Sequence, residues 1–203
     1  MNAGNTERMP RKALQAYREY LSFANDPDYR EAYFDKKTGG WMATHKGHNS
    51  EHNPKDTARY FGNMTKEDLE AECQREIVRM GGSVVYRDES KKRADNTTAV
   101  ALDAVINGRL TDIRSVTGNS KSYVNQLESK NKQLRDWNRE NPREKGSTIT
   151  LYFHDPSMYS DAKIRRGIRD LRRKANAGKT PRLRFNKVLA VVKGHDRIYE
   201  VDA

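Results

Sequence analysis

Asp103, Asp112 and Arg114 interrupt a stretch that otherwise has the composition of two buried strands: Leu102-Asp103-Ala104-Val105-Ile106-Asn107-Gly108-Arg109-Leu110-Thr111-Asp112-Ile113-Arg114. Asn-Gly is the favoured pair for a two-residue type I′ turn, because both residues tolerate positive φ. A turn at 107–108 sets residue 103 opposite residue 112. The two carboxylates then become cross-strand neighbours with Cβ atoms roughly 4.5–5.5 Å apart. Arg114, two residues beyond Asp112, falls on the same face. Like charges so placed repel unless a cation separates them, and either Arg114 or a divalent metal ion could do so. The structural alternative is a solvated polar face on which Arg114 pairs the acids.

Other groups could supply acid–base or phosphate chemistry. His45, His48 and His52 form H-x2-H-x3-H, but Gly47, Asn49, Asn53 and Pro54 argue against a helix there, and no fourth ligand is evident, so no metal site is expected. A single histidine suits proton transfer better, since its pKa lies near neutrality; His45, at a strand end beside Lys46, is the candidate. His154 ends the run Thr150-Leu151-Tyr152-Phe153 and shares a face with Tyr152. Ser115 and Thr117 offer hydroxyls to phosphate just after Arg114. Lys193, His195 and Arg197 make a basic turn, read as a solvated loop.

Lysine and arginine number 39 against 28 acids in 203 residues, a formal charge of +11. Such an excess favours polyanions, because neutralised phosphates release condensed counterions. The charge is concentrated: residues 158–179 carry Lys163, Arg165, Arg166, Arg169, Arg172, Arg173, Lys174 and Lys179 against Asp161 and Asp170. Arg165, Arg169, Arg172 and Arg173 are the expected nucleic-acid contacts there, joined by Lys46, Ser115, Thr117 and Gln133. Apolar residues make up 34% of the chain, enough for one modest core. No run approaches the ~20 apolar residues of a membrane span. The N-terminus lacks a secretory signal. The single Cys73 excludes an internal disulfide and suits a reducing compartment. A cytoplasmic location, or delivery into a target cytoplasm, is expected.

These groups need a scaffold. Residues 10–25 read as a helix, with Leu14, Tyr17, Tyr20 and Leu21 at helical spacing. Residues 41–45 read as a strand and 46–63 as a loop. Thr65 begins a capped helix with the stripe Leu69, Cys73, Ile77 and Met80, ended by Gly81-Gly82. Strands follow at 83–86, 99–106 and 109–116, then a helix at 120–139, a strand at 148–153, the basic helix at 160–175 and a hairpin from 186 to 201. The order predicts an α+β fold: a single mixed, largely antiparallel sheet packed by helices. Residues 1–38 form an N-terminal helical extension and 39–203 the main domain.

Residues from about 95 to 203 resemble the C-terminal nuclease domain of contact-dependent inhibition toxins and related domains in phage head-morphogenesis proteins, grouped with the barnase–EndoU–colicin–RelE-like ribonuclease fold. The resemblance rests on Leu102-Asp103-Ala104, Asn107-Gly108, Thr111-Asp112-Ile113-Arg114, the helix with Gln126, Lys130 and Gln133, and the strand 149–153. A segment like Gly39-Gly40-Trp41…Ala43-Thr44-His45-Lys46 precedes this core in phage-associated relatives. Such domains usually carry Lys where Arg114 stands. The resemblance implies a metal-independent endoribonuclease, with tRNA a candidate substrate, no cofactor, and as partners RNA and an acidic immunity protein or virion proteins. The roles that follow are acid–base work by His45, charge stabilisation by Arg114 and Lys130, hairpin organisation by Asp103 and Asp112, and a less defined part for His154. The Asp…Asp-x-Arg pattern also resembles the PD-(D/E)xK nucleases, in which two acids hold a divalent metal such as Mg2+ and a Lys helps activate water; that implies a metal-dependent DNase. A basic nucleic-acid-binding or virion-associated protein without turnover is the non-enzymatic alternative.

Overall fold

The computed structural model describes residues 10–48, 61–91, 94, 96, 99–118 and 120–203. Helix α1 (Arg11–Ala24) follows Pro10 as N-cap, and the strands β1 (Tyr29–Phe34) and β2 (Trp41–His45) come next. Helix α2 (Lys66–Arg79) opens on the expected capping box: the Thr65 side chain accepts from Asp68 N–H at 3.1 Å, and Asp68 accepts from Thr65 N–H at 2.8 Å. Strands β3 (Ser83–Tyr86), β4 (Ala104–Ile106) and β5 (Arg109–Ser115) lead to α3 (Val124–Glu140) and β6 (Thr148–Phe153). A 3-10 turn, Pro156–Met158, precedes α4 (Asp161–Asn176), then β7 (Lys187–Val192) and β8 (Tyr199–Asp202). The fold is α+β, as its element order predicts.

The strands form one eight-stranded sheet in sequence order. Four of its seven pairings are antiparallel; β2–β3, β5–β6 and β6–β7 are parallel. It follows that β2, β3, β5, β6 and β7 all point the same way and β1, β4 and β8 the other. The two faces are covered differently. Met42, Val84, Tyr86, Ile113, Tyr152 and Leu189 pack with Leu69, Cys73 and Ile77 of α2. Their alternating neighbours face α3 and α4 through Ile149, Leu151 and Val188, and α1 through Trp41 and Ala43. Each helix runs back against the strand it precedes. The N-terminal ends of α2, α3 and α4 therefore lie at the edge where the five co-directional strands end, and that edge carries the positive poles of three helix dipoles.

Three sequence expectations need correction. Strand β4 spans only 104–106, not 99–106, because residues 99–103 leave the ladder: Leu102 turns into the α3–α4 core, while Asp103 takes the Ile113 amide with its side chain. Strand β1 was not expected at all. Its polar residues Arg30 and Glu31 hide the pattern, and its stability comes from pairing with β2 and from Tyr29 and Phe34 packing on Phe23, Tyr17 and Tyr20 of α1. The segment ahead of residue 39 thus contributes a strand to the sheet as well as a helix. Helix α3 begins at Val124 rather than near 120. The hairpin turn is as expected, with positive φ at Asn107 (48°) and Gly108 (76°). His52 and the rest of 49–60 lie outside the described residues.

Thr65→Ala should cost about 1 kcal/mol by removing the cap. Gly40→Ala should cost more, roughly 2 kcal/mol or above, because its Cβ would meet the Val78 carbonyl oxygen at 2.1 Å. Thermal unfolding followed by circular dichroism checks the ranking.

Candidate functional site: a buried acid–acid–lysine centre

The ladder 104↔111, 105↔110, 106↔109 stops one pair short of 103 and 112, but the side chains of the two acids do meet. Lys130, on the second turn of α3, reaches both: its Nζ lies 3.0 Å from Asp112 Oδ2 and 3.7 Å from Asp103 Oδ2. Asp103 Oδ2 also accepts from the Ile113 N–H at 2.6 Å. Asp112 is fully buried, and neither of its oxygens has an aligned hydrogen-bond donor despite the ion pair. Gln133, one turn beyond Lys130, accepts from its ammonium at 3.4 Å and donates to Ala101 O at 2.8 Å, tying α3 to the chain leading into Asp103.

Burial raises both carboxyls, but their surroundings split them. For Asp103, the Lys130 charge, a hydrogen bond with Asp112, the Ile113 N–H and Lys66 outweigh burial and hold it ionised, below the usual range. For Asp112, burial and the Asp103 charge together outweigh Lys130, so it keeps its proton far above that range. Lys130 overcomes its own burial through the two acids and is held firmly charged. The trio is close to neutral overall, which is how a buried pair of acids is made tolerable.

Helix α2 adds Lys66 and Glu70, paired at 3.4 Å; the Lys66 ammonium is stabilised by Glu70 and then by Asp103. His48 lies beyond them, 2% exposed and stacked on Tyr86 at 4.5 Å. Its Nε2 is 3.7 Å from Glu70 and its Nδ1 3.6 Å from Glu89, and neither nitrogen has a hydrogen-bond partner among the described residues. Among the described residues, no three His, Cys, Asp or Glu side chains converge as a metal-ligand group.

The cation between the acids is therefore Lys130, not Arg114. Arg114 is exposed, and its charge is felt at Lys130. Ser115 is buried and Thr117 half-buried. His45 belongs to a separate cleft of about 590 Å3, lined by Tyr29, Arg87, Asp88, Glu89 and Trp137 among others. Its Nδ1 accepts from Gly47 N–H at 3.0 Å, and Asp88 lies 3.9 Å away. The carboxylates of Asp28, Asp88, Glu89, Glu140 and Glu144 make that cleft a poor seat for phosphate. Lys46 is exposed beside it.

His154 is the centre of a second cluster. Glu72 of α2 accepts from the Tyr152 hydroxyl at 2.6 Å and from Lys193 Nζ at 2.6 Å, and its Oε2 also bonds His154 Nδ1. Those three donors overcome burial and bring the Glu72 carboxyl down to about 2. With Nδ1 engaged by Glu72, His154 is about a quarter exposed and lies edge-on to the ring of Phe61 at 5.5 Å. Lys193 thus leaves the solvated loop assigned to it and joins a built site. Glu70, Glu72 and Lys66 escaped notice in the sequence; the one signal was their place beside the stripe Leu69, Cys73, Ile77, at the margins of the buried face. The α4 arginines 165, 166, 169, 172 and 173 are all exposed. No protein-family pattern, curated protein or solved structure matches this chain.

Lys130→Met should destabilise the protein by roughly 3–5 kcal/mol, since it strands an ionised carboxylate, and adding Asp103→Asn should recover part of that loss; urea unfolding reads both. Because the folded Glu72 pKa is depressed, its contribution is complete above the ordinary 4.5 and disappears as pH falls through about 2. Glu72→Gln should therefore flatten the stability profile across that window.

Proposed function

We propose that this chain is a nuclease whose centre is Asp103, Asp112 and Lys130. The convergence of two carboxylates and a lysine from three separate segments carries the reading, because nothing in the packing of a hydrophobic core calls for it. The PD-(D/E)xK resemblance requires two acids for a divalent cation and a lysine for the water. Here the lysine comes from α3 instead of from the position two residues after the second acid. The donor set for a hard cation would be the oxygens of Asp112 and the Oδ2 of Asp103, and binding would release the proton that Asp112 keeps in the metal-free chain. Mg2+ needs only one or two carboxylates when substrate phosphates and waters complete its shell. A bound ion would supply Lewis-acid stabilisation of charge on the phosphoryl oxygens. Lys130 holds a positive charge beside the reacting group, and Gln133 keeps the ammonium in place. Lys66 adds a second cation facing Asp103.

Metal-free RNA cleavage stands as a second reading, favoured by the Glu72-oriented His154. A carboxylate that fixes Nδ1 leaves Nε2 to take the 2′-OH proton as O2′ bonds to phosphorus and the P–O5′ bond breaks, the leaving 5′-oxygen then receiving a proton from the imidazolium or water, with Lys193 as the nearby cation. His45 fits this role less well, because its Nδ1 accepts the Gly47 N–H, which leaves the ring proton on Nε2, and its cleft is acidic.

Purified protein incubated with tRNA, single-stranded RNA and duplex DNA, each with EDTA or with magnesium, separates the readings. Under the first, cleavage needs magnesium and Asp103→Asn or Asp112→Asn lowers it at least a hundredfold, on the scale of losing a principal catalytic group. Under the second, RNA cleavage survives EDTA, leaves 2′,3′-cyclic phosphate ends and is lost in His154→Gln. Binding without cleavage in every arm would leave a non-enzymatic nucleic-acid-binding protein.

A further inference from the structure

The outer side of α4 divides its arginines into two groups. Arg165 is held by Asp161 at 2.7 Å, and Arg173 is bonded to Asp170. Lys174 is held by Glu128 at 2.7 Å. Both acids of the helix are thereby used, Asp170 feeling Arg166 only at longer range. Arg166, Arg169 and Arg172 make no ion pair among the described residues and are exposed. They recur every third residue, so their Cα atoms rise about 4.5 Å along the axis per step, about 9 Å in all, each step turning about 60° around the helix. A shallow concavity of about 670 Å3 is lined by Arg166, Arg169, Asp170, Arg172 and Arg173 alone.

The opposite side of the helix explains why this face stays outward. Ile164, Gly167, Ile168 and Leu171 are buried, and a Cβ on Gly167 would lie 3.1 Å from Leu127 and from the Tyr123 carbonyl carbon of the α3 start. The packing against α3 fixes the rotation of α4, and the arginines project from a rigid element. An unpaired guanidinium has had no partner to neutralise it and presents a planar fork suited to phosphate oxygens.

We infer that Arg166, Arg169 and Arg172 form the docking strip for the backbone of a polynucleotide, while Arg165 and Arg173 serve the helix itself. This rests on the nucleic-acid reading above and adds which cations do the binding. The strip occupies the middle turns of α4, beginning at its sixth residue, and the N-terminus of that helix lies at the sheet edge where Asp103 and Lys130 also lie. Three regularly stepped, unpaired positive charges favour a regularly charged polyanion over an acidic protein, whose carboxylates have no such repeat.

The test is the salt dependence of binding, followed by fluorescence anisotropy in EDTA with a DNA duplex and a 2′-O-methyl RNA duplex, which lacks the 2′-hydroxyl needed for self-cleavage. In the triple variant Arg166→Ala, Arg169→Ala, Arg172→Ala, the slope of log affinity against log salt should fall by about 2.7 on duplex DNA. Between 50 and 200 mM salt the wild-type protein should thus lose about 40-fold more affinity than the variant. The control Arg165→Ala, Arg173→Ala should change the slope by less than one, and all five residues are exposed, so both variants should unfold near the wild-type temperature. An unchanged slope in the triple variant, with binding intact, overturns the strip and leaves the nuclease reading standing. Equal slope losses in the two variants overturn the division between free and tied arginines. Absence of binding to either duplex at low salt overturns the strip together with the nucleic-acid reading.

Discussion

Two acids buried side by side must be neutralised, and the proton kept by Asp112 together with the Lys130 ammonium against Asp103 is the constraint on which this fold turns. Asp103 ends β4 early, because its carboxylate takes the Ile113 amide. Asp112 sits mid-strand, where only a long, flexible cation from the facing helix can reach it. Lys130 and Gln133 then fix the height of α3 along β5, through the acids and through Ala101 O. Hydrophobic packing alone would let α3 slide by a turn at modest cost; an ion pair left broken in the interior would not. The polar centre therefore specifies register as well as charge.

Helix α2 extends the same logic to the other face. The stripe Leu69, Cys73 and Ile77 is fully buried, and the acids Glu70 and Glu72 flank it. Glu70 faces Lys66 and His48, close to the first centre, whereas Glu72 collects Tyr152, His154 and Lys193 from β6 and the end of β7. One helix thus serves two polar clusters, both at the edge where the co-directional strands end. Electrostatics inside the molecule are locally compensated, so the excess charge of +11 must be carried by the surface.

The sequence reveals this architecture wherever a local signal is strong. The Asn107-Gly108 turn, the Thr65 capping box and the strand 148–153 each rest on chemistry within a few residues, and each is present. Strand β1 is not legible, because a polar edge strand is decided by its partner and by the aromatic side chains of α1. The meeting of Asp103 and Asp112 follows from turn geometry, but the identity of their cation does not. Arg114 is the nearest basic residue in sequence, and period two places it on the right face; Lys130 reaches the acids from a helix 18 residues beyond Asp112. The same limit hides Glu72, whose role exists only once α2 is laid across β6 and β7.

That limit bears on what the Arg114 departure means. In the hairpin taken alone, an arginine where the resembled domains carry lysine removes the proton-transferring group, since a guanidinium does not give up its proton near neutrality. In the folded chain a lysine ammonium is nevertheless 3.0 Å from Asp112, supplied from α3. An ammonium thus stands beside the two acids although it comes from α3 and not from the hairpin, while Arg114 is exposed. What the centre preserves is a set of charges in space, two acids and one ammonium near neutrality overall, and the hairpin holds only two of the three.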